Sequence, residues 1–273
     1  MQLDKTRIAI RERSFIDILD LALAVLRQHA GPLTLALFMG AVPVALFNHW
    51  LLSGLLLEEA FDPSDLAGYF SLLALLVCWE APLATAPITL YLGQALFLER
   101  PSPAKLVKEF FTSLPQLMLF QVLLRGILVW LVILIPFLYW GWPYLTEIIL
   151  LERNPWRKRS ATGTSTVSRS SGMHGRNRAE LFGRWFGSLL LGALLVLVFW
   201  RSIWYLVRVV SGHLDSNTPQ FTVWFQAALW LVIGYFAVVR FLSYLDLRIR
   251  TEGWEVELLL RAEAARLTRP ITW

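Results

Sequence analysis

The sequence predicts an all-α protein, a polytopic transmembrane helical bundle of about six crossings with amphipathic helices at its N- and C-terminal ends. Three observations predict it. Apolar residues make up 56% of the chain and charged residues 16%, where soluble domains carry about 25% charged residues. Apolar blocks recur at the length of a bilayer-crossing helix, about 20 residues. The polar stretches between the blocks alternate between basic and acidic, the pattern that orients membrane proteins. Thirteen Trp and seventeen Phe suit the same class, because aromatic side chains concentrate at membrane interfaces.

Residues 1–31 read as a cytoplasmic arm and an amphipathic helix. In SFIDILDLALAVLRQH (14–29) the apolar positions 15, 18, 19, 22, 23 and 26 fall on one helical face. Ser14 suits the N-cap, Asp17 the first turn, and Gly31-Pro32 the stop. Its acids exclude it from the bilayer centre. It either lies in the interface plane or packs on the protein's own cytoplasmic face. No cleavable signal peptide is evident in the first residues, which carry Asp4, Lys5 and Arg7.

Residues 32–151 should hold four crossings. The first block is 32–57 and the second 67–98. The third, 110–151, is too long for one crossing and barely long enough for two. Loop charge decides between them. The arm holds Lys5, Arg7, Arg11, Arg13 and Arg27, and EEAFDPSD (58–65) has four acids and no Lys or Arg. The next polar segment brings Arg100, Lys105 and Lys108. Residues 152–184 form the most basic loop, and 211–220 lack Lys and Arg. The tail carries Arg248, Arg250, Arg261, Arg266 and Arg269. Basic loops stay cytoplasmic. All these assignments agree only if 110–151 crosses twice, as a hairpin turning near Arg125-Gly126, with Pro136, Gly141 and Pro143 breaking its second arm.

Residues 152–184 read as a flexible cytoplasmic loop, since 159–178 is rich in Ser, Thr, Gly and Arg and poor in apolar residues. Residues 185–247 supply crossings five and six. Residues 248–273 read as a cytoplasmic tail whose segment 252–267 forms an amphipathic helix. Both termini are then cytoplasmic, and the location is a cell inner membrane.

Motifs that carry reactions are absent. There is no GxxxxGK[ST], no GxGxxG after a strand, no HExxH, no CxxC and no GxSxG. The expectation is no catalytic residue, no metal and no cofactor. The single cysteine, Cys78, rules out a disulfide within the chain. His49 and His213 lie near the same outer face, as separate solvated side chains. The intramembrane charges are more informative, because such groups are expensive and normally pair or line a cavity. Glu80, Arg125 and Arg201 are the candidate cluster, with Glu80 paired to Arg201 first and Arg125 second. Such a cluster serves either as a substrate or proton site or as an ion pair fixing helix register. Pro82 and Pro87 follow Glu80 and allow an unwound segment of the kind transporters use. Arg157, Lys158 and Arg159 are candidates for contact with anionic lipid headgroups. No aromatics interleave these arginines to stack on bases, so no nucleic-acid partner is expected.

Two stretches, PYLTEIILLERNPWRKRS (143–160) and YLDLRIRTEGWEVELLLR (244–261), together with the six-crossing layout, resemble a group of bacterial integral-membrane proteins of unassigned function. That group is akin to the membrane domain found ahead of some glycerophosphodiester phosphodiesterases. The resemblance implies a polytopic helical fold. It does not imply the enzyme's activity, because that chemistry belongs to a separate soluble barrel. The expected function is that of a non-catalytic scaffold, or the membrane subunit of a cell-envelope assembly. Its partners would be the lipid bilayer and other membrane or envelope proteins. The alternative is a small transporter or lipid-handling permease using Glu80 and Arg201.

Overall fold

A computed structural model describes residues 13–56, 63–96, 98, 101–131, 135–155, 164–175, 177–212 and 218–252. Most of those residues are helical, with no strand among them. The protein is an all-α polytopic membrane bundle. Five helical stretches are long and apolar enough to cross a bilayer: Ala30–Leu55, Ala67–Ala95, Pro103–Trp130, Arg178–Val210 and Thr222–Glu252.

Helix α1, Phe15–Gln28, begins as its sequence dictates. Ser14 accepts from the Asp17 backbone N–H, and Asp17 accepts in return from the Ser14 N–H, at 3.2 Å each. The helix buries Ile18, Ala22 and Val25. Its apolar face packs on helix α11 (Thr218–Glu252) of its own chain, and Tyr235 Oη donates to the Leu19 carbonyl. The Gly31-Pro32 stop is corrected. The break falls at His29, φ −115°, and α2 (Ala30–Leu52) starts at once with Pro32 in its first turn. That is a position where proline's missing N–H costs nothing.

Helices α3 (Pro63–Ala84) and α4 (Ala86–Ala95) make one crossing kinked at Thr85. The next crossing is assembled from α5 (Pro103–Leu117), a π-helical stretch Met118–Leu124, and α6 (Arg125–Trp130). The hairpin apex expected at Arg125-Gly126 is therefore corrected. Both residues lie inside this stretch, and the chain first leaves helical geometry at Leu131. The first arm, Pro103–Trp130, is 28 residues long. The second arm is broken. It runs as α7 (Ile135–Gly141), turns at Trp142–Tyr144 around Pro143, and resumes as α8 (Leu145–Glu147) and a π-helical turn, Ile148–Glu152. It returns beside α4 and α5, where Leu145, Ile149 and Leu150 pack with Ala86, Leu90 and Leu117.

Arg125 has a specific reason to be buried. Pro82 has no N–H, so the Cys78 carbonyl one turn earlier loses its intrahelical donor. Arg125 Nε supplies one at 3.1 Å. Arg125 thus repairs the proline kink, and Trp79 Nε1 donates back to the Val122 carbonyl at 2.9 Å. We expect Arg125→Met to lower the detergent melting temperature by leaving a buried carbonyl unsatisfied, a cost of about 1–3 kcal/mol. In a Pro82→Ala background the N–H at position 82 returns, and the same substitution should cost less. Thermal unfolding of the four proteins checks this, and equal losses in both backgrounds would refute it.

Helices α10 (Arg178–Ser211) and α11 (Thr218–Glu252) have 34 and 35 residues. At 1.5 Å per residue each is about 50 Å long, well beyond a bilayer core of about 30 Å. The excess places a dense set of charges at the end shared by the start of α10 and the finish of α11.

Candidate functional site

Two polar regions stand out: a charged rim at that end of the bundle, and polar contacts within it. At the rim, Asp246 is 2% exposed. Its Oδ1 accepts from the Arg13 backbone N–H at 2.9 Å. Its Oδ2 lies 2.9 Å from Nη2 of both Arg184 and Arg250, close ion pairs without hydrogen-bond alignment. Glu180 bridges the same two arginines at 2.8 and 3.0 Å. These contacts join the start of α1 to α10 and α11.

The second half of the rim holds α9, Thr166–His174. The flexible loop expected over 159–178 is corrected for 166–174, which is helical, while 159–163 and 176 lie outside the described residues. Ser165 caps the helix, and Thr166, Ser170, Met173 and His174 are buried. Arg169 grips Glu152 with two donors, Nε at 2.7 Å and Nη2 at 3.0 Å, and also pairs with Glu252. Tyr244 Oη donates to Glu152 at 2.9 Å, and Arg248 pairs with Glu252 at 3.0 Å. Met173 joins Tyr144, Ile148, Leu181, Tyr244 and Leu247 in one apolar cluster. One methionine and a bidentate arginine thus order a stretch whose composition is poor in apolar residues. Arg157, Lys158 and Arg159, the candidate lipid contacts, lie outside the described residues, as do His213 and the tail helix 252–267 beyond Glu252.

Two rim groups make a loss of rim stability in acid the expected result. Burial tends to raise the Glu152 pKa, but the Arg169 and Tyr244 hydrogen bonds outweigh it and hold the carboxyl below its ordinary value. Burial pushes His174 down to about 4; its Nδ1 meets Ser170 Oγ at 3.0 Å. Both folded-state values are depressed, so both contributions are present at neutral pH and lost on acidification. For His174 the loss starts below its ordinary value near 6.5 and is complete near 4. For Glu152 it comes lower, as pH falls through its folded-state value. Between pH 7 and 5 the histidine alone removes about 2 kcal/mol. We expect hydrogen exchange of the 166–174 amides, corrected for intrinsic rates, to rise more than tenfold over that interval. In His174→Gln the rise should largely vanish.

Inside the bundle, the proposed cluster of Glu80, Arg125 and Arg201 does not form. Glu80 Oε2 accepts from Asn48 Nδ2 at 2.9 Å, a side chain that is 0% exposed, and neither arginine is among its partners. Arg125 serves the Cys78 carbonyl. Arg201 is exposed, with its guanidinium 5.2 Å from the Trp200 ring. The three share an intramembrane position, but each has a different partner.

The buried intramembrane acid with an arginine partner is instead Glu147, paired with Arg240. Glu147 is 0% exposed, and its Oε1 accepts from Arg240 Nε. Arg240 Nη2 reaches Thr85 Oγ1 at 3.4 Å, at the α3–α4 kink, and Glu147 Oε2 is buried without a hydrogen bond. Glu147 stood inside the quoted PYLTEIILLER stretch, yet its partner is 93 positions away. An acid in the middle of an apolar turn was the only available signal. Among the described residues no three His, Cys, Asp or Glu side chains are grouped to hold a metal ion.

Fold and charges together define an integral, multi-pass α-helical membrane protein. No family model, curated protein or solved structure matches the chain.

Proposed function

We propose that the protein is a non-catalytic inner-membrane protein of a bacterial cell, with the charged rim and both chain ends cytoplasmic. It acts as a scaffold or as the membrane subunit of an envelope assembly. One observation carries this reading. A hydrogen bond from the Arg13 backbone to Asp246 ties the start of α1 to α11, and ion pairs of Glu152 and Glu252 with Arg169 fix α9, while Asp246 and Glu180 join the ends of α10 and α11. A fixed, charged surface of this kind suits docking of another protein. Cysteines at Ser168 and Ser171, both exposed on α9, provide the test. In membranes they should cross-link to one stoichiometric partner. That product should disappear in Arg169→Gln, which frees α9 from Glu152. Cross-linking unaffected by Arg169→Gln would remove the support for this reading.

A second reading has its own observation. A wholly buried carboxylate with one unbonded oxygen, beside a helix kink, is the arrangement expected of a permease. Glu147-dependent solute or proton flux in proteoliposomes would place the transporter reading first.

A further inference from the structure

The rim contains a cleft of about 490 Å³ between the start of α1, the first turns of α10 and the last turns of α11. It is lined by Arg13, Ser14, Phe15, Glu180, Gly183, Arg184 and Arg250. Three arginines and one glutamate give the lining a formal charge of +2, and Asp246 beneath it leaves +1. We propose that this cleft binds a phosphate ester, carried by the headgroup of an anionic phospholipid.

Three features point to that ligand. Arginine's planar fork matches phosphate oxygens, and three arginines from separate parts of the chain line this cleft: Arg13 just before α1, Arg184 of α10 and Arg250 of α11. Position supplies the second. Phe182, Trp185 and Phe186 cluster within the next two turns of α10, with ring centroids 5.3 and 6.5 Å from that of Phe182. Aromatic side chains of this kind mark the headgroup level, and Phe15 gives the cleft an apolar wall. The third is the state of Glu180. It is 45% exposed, yet it spans Arg184 and Arg250. It occupies the place of an anion, and an incoming phosphate would displace it while Asp246 keeps Arg184 in position.

The displacement gives the test its direction. The full-length protein is placed in phosphatidylcholine nanodiscs, with phosphatidylglycerol titrated in. Thermal stability and retained lipid by native mass spectrometry are the readouts. Wild-type protein should be stabilised saturably and keep the anionic lipid. Arg13→Gln with Arg250→Gln should weaken retention by about 25-fold, from about fivefold per surface arginine. Glu180→Gln should tighten it severalfold, an effect that a purely structural Glu180 would not produce. Lys108→Gln, an exposed basic residue outside the lining, should match wild type. Inorganic phosphate is tested separately. Saturable, Arg250-dependent protection by phosphate alone would support the site and assign it to a soluble phosphate compound. Overturning results are no change in Arg13→Gln/Arg250→Gln, an equal loss in Lys108→Gln, or weaker binding in Glu180→Gln. If the double arginine variant fails to fold, the Glu180→Gln and Lys108→Gln results still decide.

Discussion

Gly40→Ala is expected to prevent stable assembly of the bundle. A Cβ at position 40 would fall well inside contact distance of the Ala84 carbonyl oxygen, with the Ala84 carbonyl carbon 2.8 Å away. The obstacle is backbone, so no rotamer change relieves it. Helix α2 or α3 must move as a body, and Ala41, Leu73, Leu76, Val77 and Ala84 share the core between them. Overpacking a well-packed core typically costs about 1–3 kcal/mol, and a clash with main chain belongs at or above the top of that range. Alanine's better helix propensity returns about 1 kcal/mol at most, so the clash wins. Gly31→Ala is the matched control, since a Cβ there meets nothing within 4 Å. Size-exclusion profiles and melting curves in detergent should show Gly40→Ala aggregated or strongly destabilised. Gly31→Ala should match wild type or exceed it slightly. A Gly40→Ala protein that melts like wild type would mean that α2 and α3 do not approach this closely.

Features set by neighbours in sequence were legible, and those set by distant partners were not. The Ser14–Asp17 cap, the apolar spans and the break at Gly141–Pro143 all depend on residues within a turn or two. The apex of the 110–151 hairpin was misplaced because a charged residue in an apolar block resembles a turn. Arg125 is there for the Cys78 carbonyl, 47 positions earlier, which Pro82 leaves without a donor. Helix α9 was hidden for a related reason. Its stability comes from Glu152, Glu252 and the Met173 contacts, so the composition of 159–178 could not reveal it. The intramembrane charges are legible as groups needing partners, but position in an apolar block indicates only approximate depth. Depth fixes only one coordinate. Rotation about each helix axis turned Arg201 away from Glu80 and brought Arg240 to Glu147.

That ion pair carries the second large effect. Arg240→Gln should destabilise the protein more than Glu147→Gln does. Glu147 is sealed at 0% exposure, whereas Arg240 is 22% exposed and keeps Thr85 as a second partner. Without Arg240, the buried carboxylate must either stay charged at high cost or take up a proton. Without Glu147, the guanidinium retains an exposed edge and its contact with Thr85. Breaking a buried pair costs roughly 3–5 kcal/mol in soluble proteins. Water defects and snorkelling reduce such penalties in membranes, so a drop at or below the lower end of that range is expected for Arg240→Gln. The double variant Glu147→Gln/Arg240→Gln should be more stable than Arg240→Gln alone, because it leaves no stranded charge. The double-mutant cycle then reports a favourable coupling. Simple additivity of the two losses would show that the charges do not depend on each other. The cycle also bears on function. If both single variants melt near wild type while abolishing flux in proteoliposomes, the pair is kept for transport rather than for holding α8 against α11. The membrane-subunit reading expects the reverse, with stability lost and no flux to lose.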